Sequence, residues 1–177
     1  MSTVELFGEA AFNTPRIKSV EIENVRGFKK LSLKFSPGVN IVSTLARGSG
    51  KTTLLSLLSG SIQDGIMQYG DNVRNGAKKG RLSIAYEPFN YTFSQSEIPL
   101  GYGLLMLNDF KQLKTFAREI PADRCFLLEL DWLRHLKVPC KDVLGALSKA
   151  RCQVIATTME YPLREIKLPK GTKQIKI

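Results

Sequence analysis

VNIVSTLARGSGKTTLLSLLSG, residues 39–60, decides the fold of this 177-residue chain. Residues 39–45 are a short apolar run of strand length, residues 54–60 an apolar run of helical character, and ARGSGKTT lies between them. A glycine-containing turn from strand to helix lets successive backbone N–H groups point at one anion, and the helix adds the positive end of its dipole. Gly48 and Gly50 permit the tight turn, with Ala46, Arg47 and Ser49 completing the loop. Lys51 offers a point charge to β- and γ-phosphates, Thr52 a hydroxyl to Mg2+, and Thr53 a contact to an α-phosphate. The full pattern is G-x-x-x-x-G-K-[ST]; Leu45 holds the leading glycine position, which implies a different backbone path out of the strand.

Upstream, residues 1–15 read as an irregular lead-in. Residues 17–25 (IKSVEIENV) and 31–35 (LSLKF) alternate apolar and polar, the period of half-buried strands, and SPG at 36–38 is a turn. Downstream, a loop rich in Gly, Asp and Asn covers 64–80, and RLSIAYEPF alternates as a strand. Leu104, Leu105, Leu107, Phe110, Leu113, Phe116 and Ala117 recur at helical spacing, and Pro121 ends that helix. CFLLELDWL reads as a buried strand, 141–150 as a second helix, CQVIATT as another buried strand, and REIKLPKGTKQIKI as a terminal hairpin. Strands that are apolar throughout and lead into helices favour a partly parallel sheet, so the class is α/β.

Composition sets the outer bounds. The chain is 43% hydrophobic, which is against disorder, and no window approaches a membrane span of ~20 apolar residues. MSTVELFGEA has no basic stretch before an apolar core and so does not read as a signal peptide. Cys125, Cys140 and Cys152 are odd in number and form no close pair, which points to buried thiols in a reducing cytoplasm rather than disulfides or a zinc knuckle. Lys and Arg number 26 against 16 Asp and Glu, a net charge of +10 that suits either a nucleic-acid-binding face or a soluble surface around a nucleotide site.

Several segments in order resemble the SMC, RecF and ABC-type ATPase heads. IKSVEIENVRGF followed by KFSPGVNIV is similar to that family's opening, VRNGAKKGRLSI (73–84) to its Arg-x-Gly turn into a first-lobe strand, and QVIATT (153–158) to the strand ending in its switch histidine. The resemblance implies an ABC-type ATPase head: a P-loop RecA-like core with an antiparallel β lobe, forming one domain over 16–177, with a first lobe at about 16–95 and a second at about 96–177. It implies ATP and Mg2+ as ligands. It also implies an ATP-dependent homodimer, or a heteromer with a partner protein, in which each phosphate loop meets the signature motif of the other subunit. PLGYG (99–103) is the signature candidate, with Pro99 where the family has serine. Residues 85–100 leave no room for the long coiled-coil insertion common in SMC-like heads.

The family's Walker B strand ends in two acids, one supporting Mg2+ and one polarising water. FLLELDW (126–132) offers Glu129 and Asp131, which share a face if the strand stays regular. With Asp131 on the Mg2+ side, the water-polarising position is Trp132; with Glu129 there, it is Leu130; alternatively Asp131 polarises water itself. Met159 stands where the switch histidine is expected, and the only histidine, His135, follows the Walker B candidate. Arg26 resembles a family position near the nucleotide, and Gln63 and Gln68 are both possible Q-loop residues. The expectation is an ATP-binding, slowly hydrolysing ABC/SMC-type ATPase that switches by nucleotide-dependent dimerisation, in DNA-related processes in the cytoplasm. The alternative is a degenerate, non-catalytic nucleotide-binding or nucleic-acid/protein adaptor module. ATP against GTP stays open.

Overall fold

A computed structural model describes residues 15–58, 72–87, 92–93, 110–131 and 138–177. The expectations at Gln63, Gln68, PLGYG, Trp132 and His135, and on the first fourteen residues of the lead-in, lie outside them.

The described residues form two four-stranded sheets. The first is antiparallel, built from β1 (Arg16–Val25), β2 (Phe28–Lys34), β4 (Arg81–Glu87) and β5 (Thr92–Phe93) in the order β2-β1-β4-β5. The alternation read in β1 is real: Ile17, Val20, Ile22 and Val25 are buried while Lys18, Glu21 and Glu23 face out. Its phase slips twice: between Ile17 and Val20, where the register to β4 shifts in the manner of a β-bulge, and between Ile22 and Val25, where Asn24 takes a φ of +50°.

The second sheet is wholly parallel, in the order β6-β7-β3-β8, with β3 (Val39–Thr44), β6 (Cys125–Glu129), β7 (Gln153–Met159) and β8 (Lys173–Lys176). Every residue of β3 and all but the last of β7 are buried, as central strands covered on both faces must be. One face carries α1 (Lys51–Leu58), whose Leu54, Leu55, Leu57 and Leu58 fill a core shared with Val42, Leu127 and Ile155 below and Val20, Ile22 and Ile84 of the antiparallel sheet above. On the other face, α2 (Phe110–Glu119) and α3 (Cys140–Leu147) cover Ile41, Phe126, Leu128, Val154 and Ala156 with Leu113, Val143, Leu144 and Leu147. The layers run antiparallel sheet, α1, parallel sheet, α2 with α3.

Two buried amides tie this together. Asn40 is fully buried; its Oδ1 accepts from Ser36 N at 2.7 Å, and its Nδ2 is shared among the carbonyls of Ser36, Gly38 and Val154 at 2.9–3.2 Å. The Ser36–Gly38 turn is thereby locked to β7. Gln153, at the start of β7, accepts from Ile17 N at 2.7 Å and donates to the carbonyls of Ile17 and Ser36, both at 2.8 Å. Its side chain does for the first turn of β1 what a neighbouring strand would do, and so joins the two sheets.

The terminal hairpin does not form. A turn is present, with Thr172 N donating to Pro169 O at 3.1 Å, but its arms part. Ile166 and Leu168 pack under α2 and α3, whereas Ile175 and Ile177 pack on the α1 side, and β8 pairs parallel with β3 instead. Antiparallel pairing of the arms would leave one of those two apolar pairs unburied.

Candidate functional site

The loop from β3 to α1 turns at Gly48 and Gly50, with φ of +74° and +92°, in the left-handed region open to glycine. A Cβ at Gly50 would also lie 2.6 Å from the Phe28 ring tip. Phe28 opens β2 directly after the Arg26–Gly27 turn and sits over the loop, a contact that sequence reading missed; the VRGF segment held the signal. Arg26, at φ +47°, donates through its backbone N–H to Asn72 O at 2.7 Å and through Nε to Asn72 Oδ1 at 3.1 Å. Leu45 is 67% exposed, so the strand exit turns its side chain to solvent. Thr44 Oγ1 accepts from Ala46 N at 3.3 Å and fixes that exit. Arg47 and Gly48 are exposed, Ser49 and Gly50 partly covered. The helix begins at once, with Leu54 N donating to Gly50 O at 2.7 Å.

Lys51 is only 8% exposed. Its Nζ lies 3.6 Å from Asp131 Oδ2 and donates to Met159 Sδ at 3.3 Å. Thr52, on the next residue, donates its hydroxyl to both Glu129 oxygens at 3.2 Å. Both carboxylates therefore reach the start of α1, but not by a regular strand. β6 ends at Glu129, and Leu130 and Asp131 enter a tight helical turn. Leu130 is buried on the α2–α3 side of the sheet. Asp131 Oδ1 is held by Thr158 Oγ1 and by the Met159 N–H, both at 3.1 Å. Of the registers left open by the sequence, this arrangement sets Glu129 beside the Thr52 hydroxyl and Asp131 beside the Lys51 ammonium.

The residues fit a polyphosphate with Mg2+. Ser49 Oγ and Thr157 Oγ1 are buried without a hydrogen-bond partner, and Ser49 lies within the loop itself. Among the described residues no group of three or more His, Cys, Asp and Glu forms a metal cage. Thr52 and Glu129 supply two oxygen donors, which suits Mg2+, since it is ordinarily held by one or two protein groups together with phosphate and water. The thiols stand apart from this chemistry: burial pushes Cys125 well above the usual thiol range and Cys152 up to about 11, while Cys140 is partly covered. No helix among the described residues is long and apolar enough to cross a membrane.

No family model matches the chain. It is 31% identical over 131 residues to the DNA double-strand break repair Rad50 ATPase of Methanosarcina mazei, covering 66% of this chain and 12% of that protein. It is 30% identical over 77 residues to the protein of the same name from Methanosarcina acetivorans, covering 41% of this chain and 7% of that one. The chain thus spans about a tenth of the length of these relatives. Solved structures of the recombination mediator protein RecF, as RecF-ATPrS and RecF-ATP, overlap 63% and 65% of this chain and 36% and 37% of theirs. Their identities are 18% and 16% and their TM-scores 0.37 and 0.33, overlaps too shallow to carry an argument. A glycine loop leading from a buried parallel strand into α1, an antiparallel sheet laid across that helix, and the sequence likeness to the Rad50 ATPases support an ATPase head of the SMC/RecF/ABC type, one that departs from that type's motifs at Leu45 and Met159.

Proposed function

We propose that residues 16–177 act as one domain that binds ATP with Mg2+, hydrolyses it slowly and dimerises, with a second copy or a partner protein, when nucleotide is bound. One observation carries this: Lys51 and Thr52, the first two residues of α1, each face a separate carboxylate at the end of β6. The backbone N–H groups of residues 48–53, with Ala46 and Arg47 on the rim, would cradle the phosphates, and Arg26 in the neighbouring turn would flank them. Thr52 and Glu129 would hold Mg2+, which when bound withdraws charge from phosphate oxygens. Lys51 carries the ammonium for the terminal phosphates. Leu130 is apolar and cannot polarise water, so Asp131 is the carboxylate left for that role. It is oriented by Thr158 and the Met159 N–H rather than by a histidine. The name of the Rad50 relatives supports a DNA-directed process as the setting, and a cytoplasmic location belongs to the same proposal.

Three measurements test it. Calorimetry with Mg2+ and ATP or GTP should give a saturable heat that Lys51→Ala abolishes; no heat with either nucleotide refutes the proposal. Light scattering should give a doubled mass with ATP alone, and an unchanged mass refutes the switch. Wild-type phosphate release should exceed that of Lys51→Ala. Equal rates would favour the second reading, a non-hydrolysing adaptor, which Met159 in the switch position and buried Leu130 support.

A further inference from the structure

Beyond the nucleotide site, on the opposite face of the parallel sheet, α2 and α3 leave between them an open cleft of about 610 Å³. Its shape follows from sequence. Phe110, Lys114 and Arg118 recur every fourth residue on α2, so they form one stripe, and Lys141 and Gly145 on α3, with Lys149 in the turn just past its end, line the other wall. Leu113 of α2 and Leu144 of α3 are buried in the same core beneath, while Gly145 and Ala146 are too small to fill the space between the helices. The result is a trough with cations on both walls.

Lys114, Arg118, Lys141 and Lys149 are all exposed, and Asp142 is the one acid among the lining residues. Among the described residues none of the four cations has an ion-pair partner within 4.0 Å, and Lys114 rests 4.4 Å from the centroid of the Phe110 ring. A site for a small anion needs buried donors converging on one point; here the charges are spread along a channel on flexible stems. That distribution suits a linear polyanion whose charges repeat. The Phe110 ring, partly buried against the core and covered by Lys114, lines one end of the channel and holds that cation at its wall.

We propose that the α2–α3 cleft binds the phosphodiester backbone of a nucleic acid. This rests on the DNA-directed part of the proposed function and is independent of ATP binding. Four contacted phosphates predict a steep salt response: affinity falling about 150-fold for a duplex, or about 50-fold for a single strand, between 50 and 200 mM salt.

The test titrates the whole chain onto a fluorescein-labelled 20-base single strand and the matching duplex, followed by anisotropy at both salts. The quadruple variant Lys114→Gln, Arg118→Gln, Lys141→Gln, Lys149→Gln should lose at least tenfold in affinity at 50 mM salt and most of the salt slope. A control with the same charge change, Lys29→Gln, Lys30→Gln, Lys78→Gln, Lys79→Gln, should lose less than threefold. Equal losses in both variants, or none in the cleft variant, overturn the cleft while leaving DNA binding standing. No binding by the wild type to either probe overturns the cleft and the DNA-directed reading together, and an ATP heat measured alongside shows whether the nucleotide site survives. Competition by polyglutamate as effective as by unlabelled oligonucleotide would reassign the cleft to acidic proteins. A thermal melt of the cleft variant within a few degrees of wild type establishes that it is folded.

Discussion

Asp131→Asn separates the two roles proposed for one carboxylate. The substitution keeps the shape and the Oδ1 that accepts from Thr158 and from Met159 N, and removes the charge 3.6 Å from Lys51 Nζ. At an effective dielectric of 20, a pair at that spacing attracts by about 4.6 kcal/mol. In the apo protein, therefore, Asp131 occupies much of the field that Lys51 would offer a phosphate, and it repels the phosphate itself. Lys51 is nearly buried and Asp131 is 23% exposed on its side chain, so water screens the pair only in part. If a third of the attraction opposes nucleotide, about 1.5 kcal/mol is returned by the substitution, which is roughly 13-fold in Kd. Hydrolysis should move the other way: loss of a group that polarises water costs about 10²-fold or more in turnover. The assay is calorimetry with Mg2+ and ATP at 50 mM salt, paired with phosphate release at saturating ATP. Weaker binding by Asp131→Asn would make the carboxylate part of the Mg2+ or nucleotide site. Tighter binding with unchanged turnover would remove Asp131 from the chemistry.

Gly50→Ala should destabilise the fold by about 1–3 kcal/mol, because it strains a positive φ and meets the Phe28 ring. In urea melts its effect should be non-additive with Phe28→Ala by more than about 0.5 kcal/mol, and additivity would mean the ring moves freely aside. Gln153→Leu leaves Ile17 N, Ile17 O and Ser36 O without that partner and should cost at least about 3 kcal/mol in the same melts; a change below 1 kcal/mol would mean water replaces the amide. The hydrogen bond from Lys176, 2.7 Å away, holds the Glu160 carboxyl below the ordinary glutamate value of about 4.3. The ionised form is favoured by folding, so its contribution is present above that value and is lost as pH falls through the folded pKa. Glu160→Gln should therefore flatten the acid limb of the stability curve below about pH 5; an unaltered limb would assign it to other carboxylates.

The sequence was most readable where local pattern and burial agree. The run through β3, the loop and α1 combines an apolar strand, two glycines and a leucine-rich helix, and each demands the same strand–turn–helix. Alternation located β1, β2 and β4, and unbroken apolar runs located β6 and β7. Reading failed where a residue's partner is remote or its period breaks. β6 loses its two-residue period at Leu130, because the chain bends to bring Asp131 to Lys51 while Leu130 goes to the opposite core. KQIK in β8 looked like half of a hairpin because turn chemistry is local, whereas its true partner, β3, is more than 120 residues away. Phe28 and Gln153 are ordinary residues by composition; only the approach of Gly50 to one and of Ile17 to the other gives them their work. The basic cleft needed two helices set side by side, a pairing that neither helix announces alone.

The path of the chain between layers has a consequence for how the molecule can come apart. β1 and β2 lie in one sheet, β3 crosses to the other, β4 returns, and β6 to β8 cross once more. The layers are stitched rather than stacked: a cut after β5 would keep the antiparallel sheet whole but carry β3 and α1 away with it. A fragment ending before β4 would carry the glycine loop without the acids that face it, and one beginning after it would carry the acids without the lysine. Partial unfolding thus cannot leave half of the proposed cradle in working order, and any phosphate binding should be lost on heating together with both sheets.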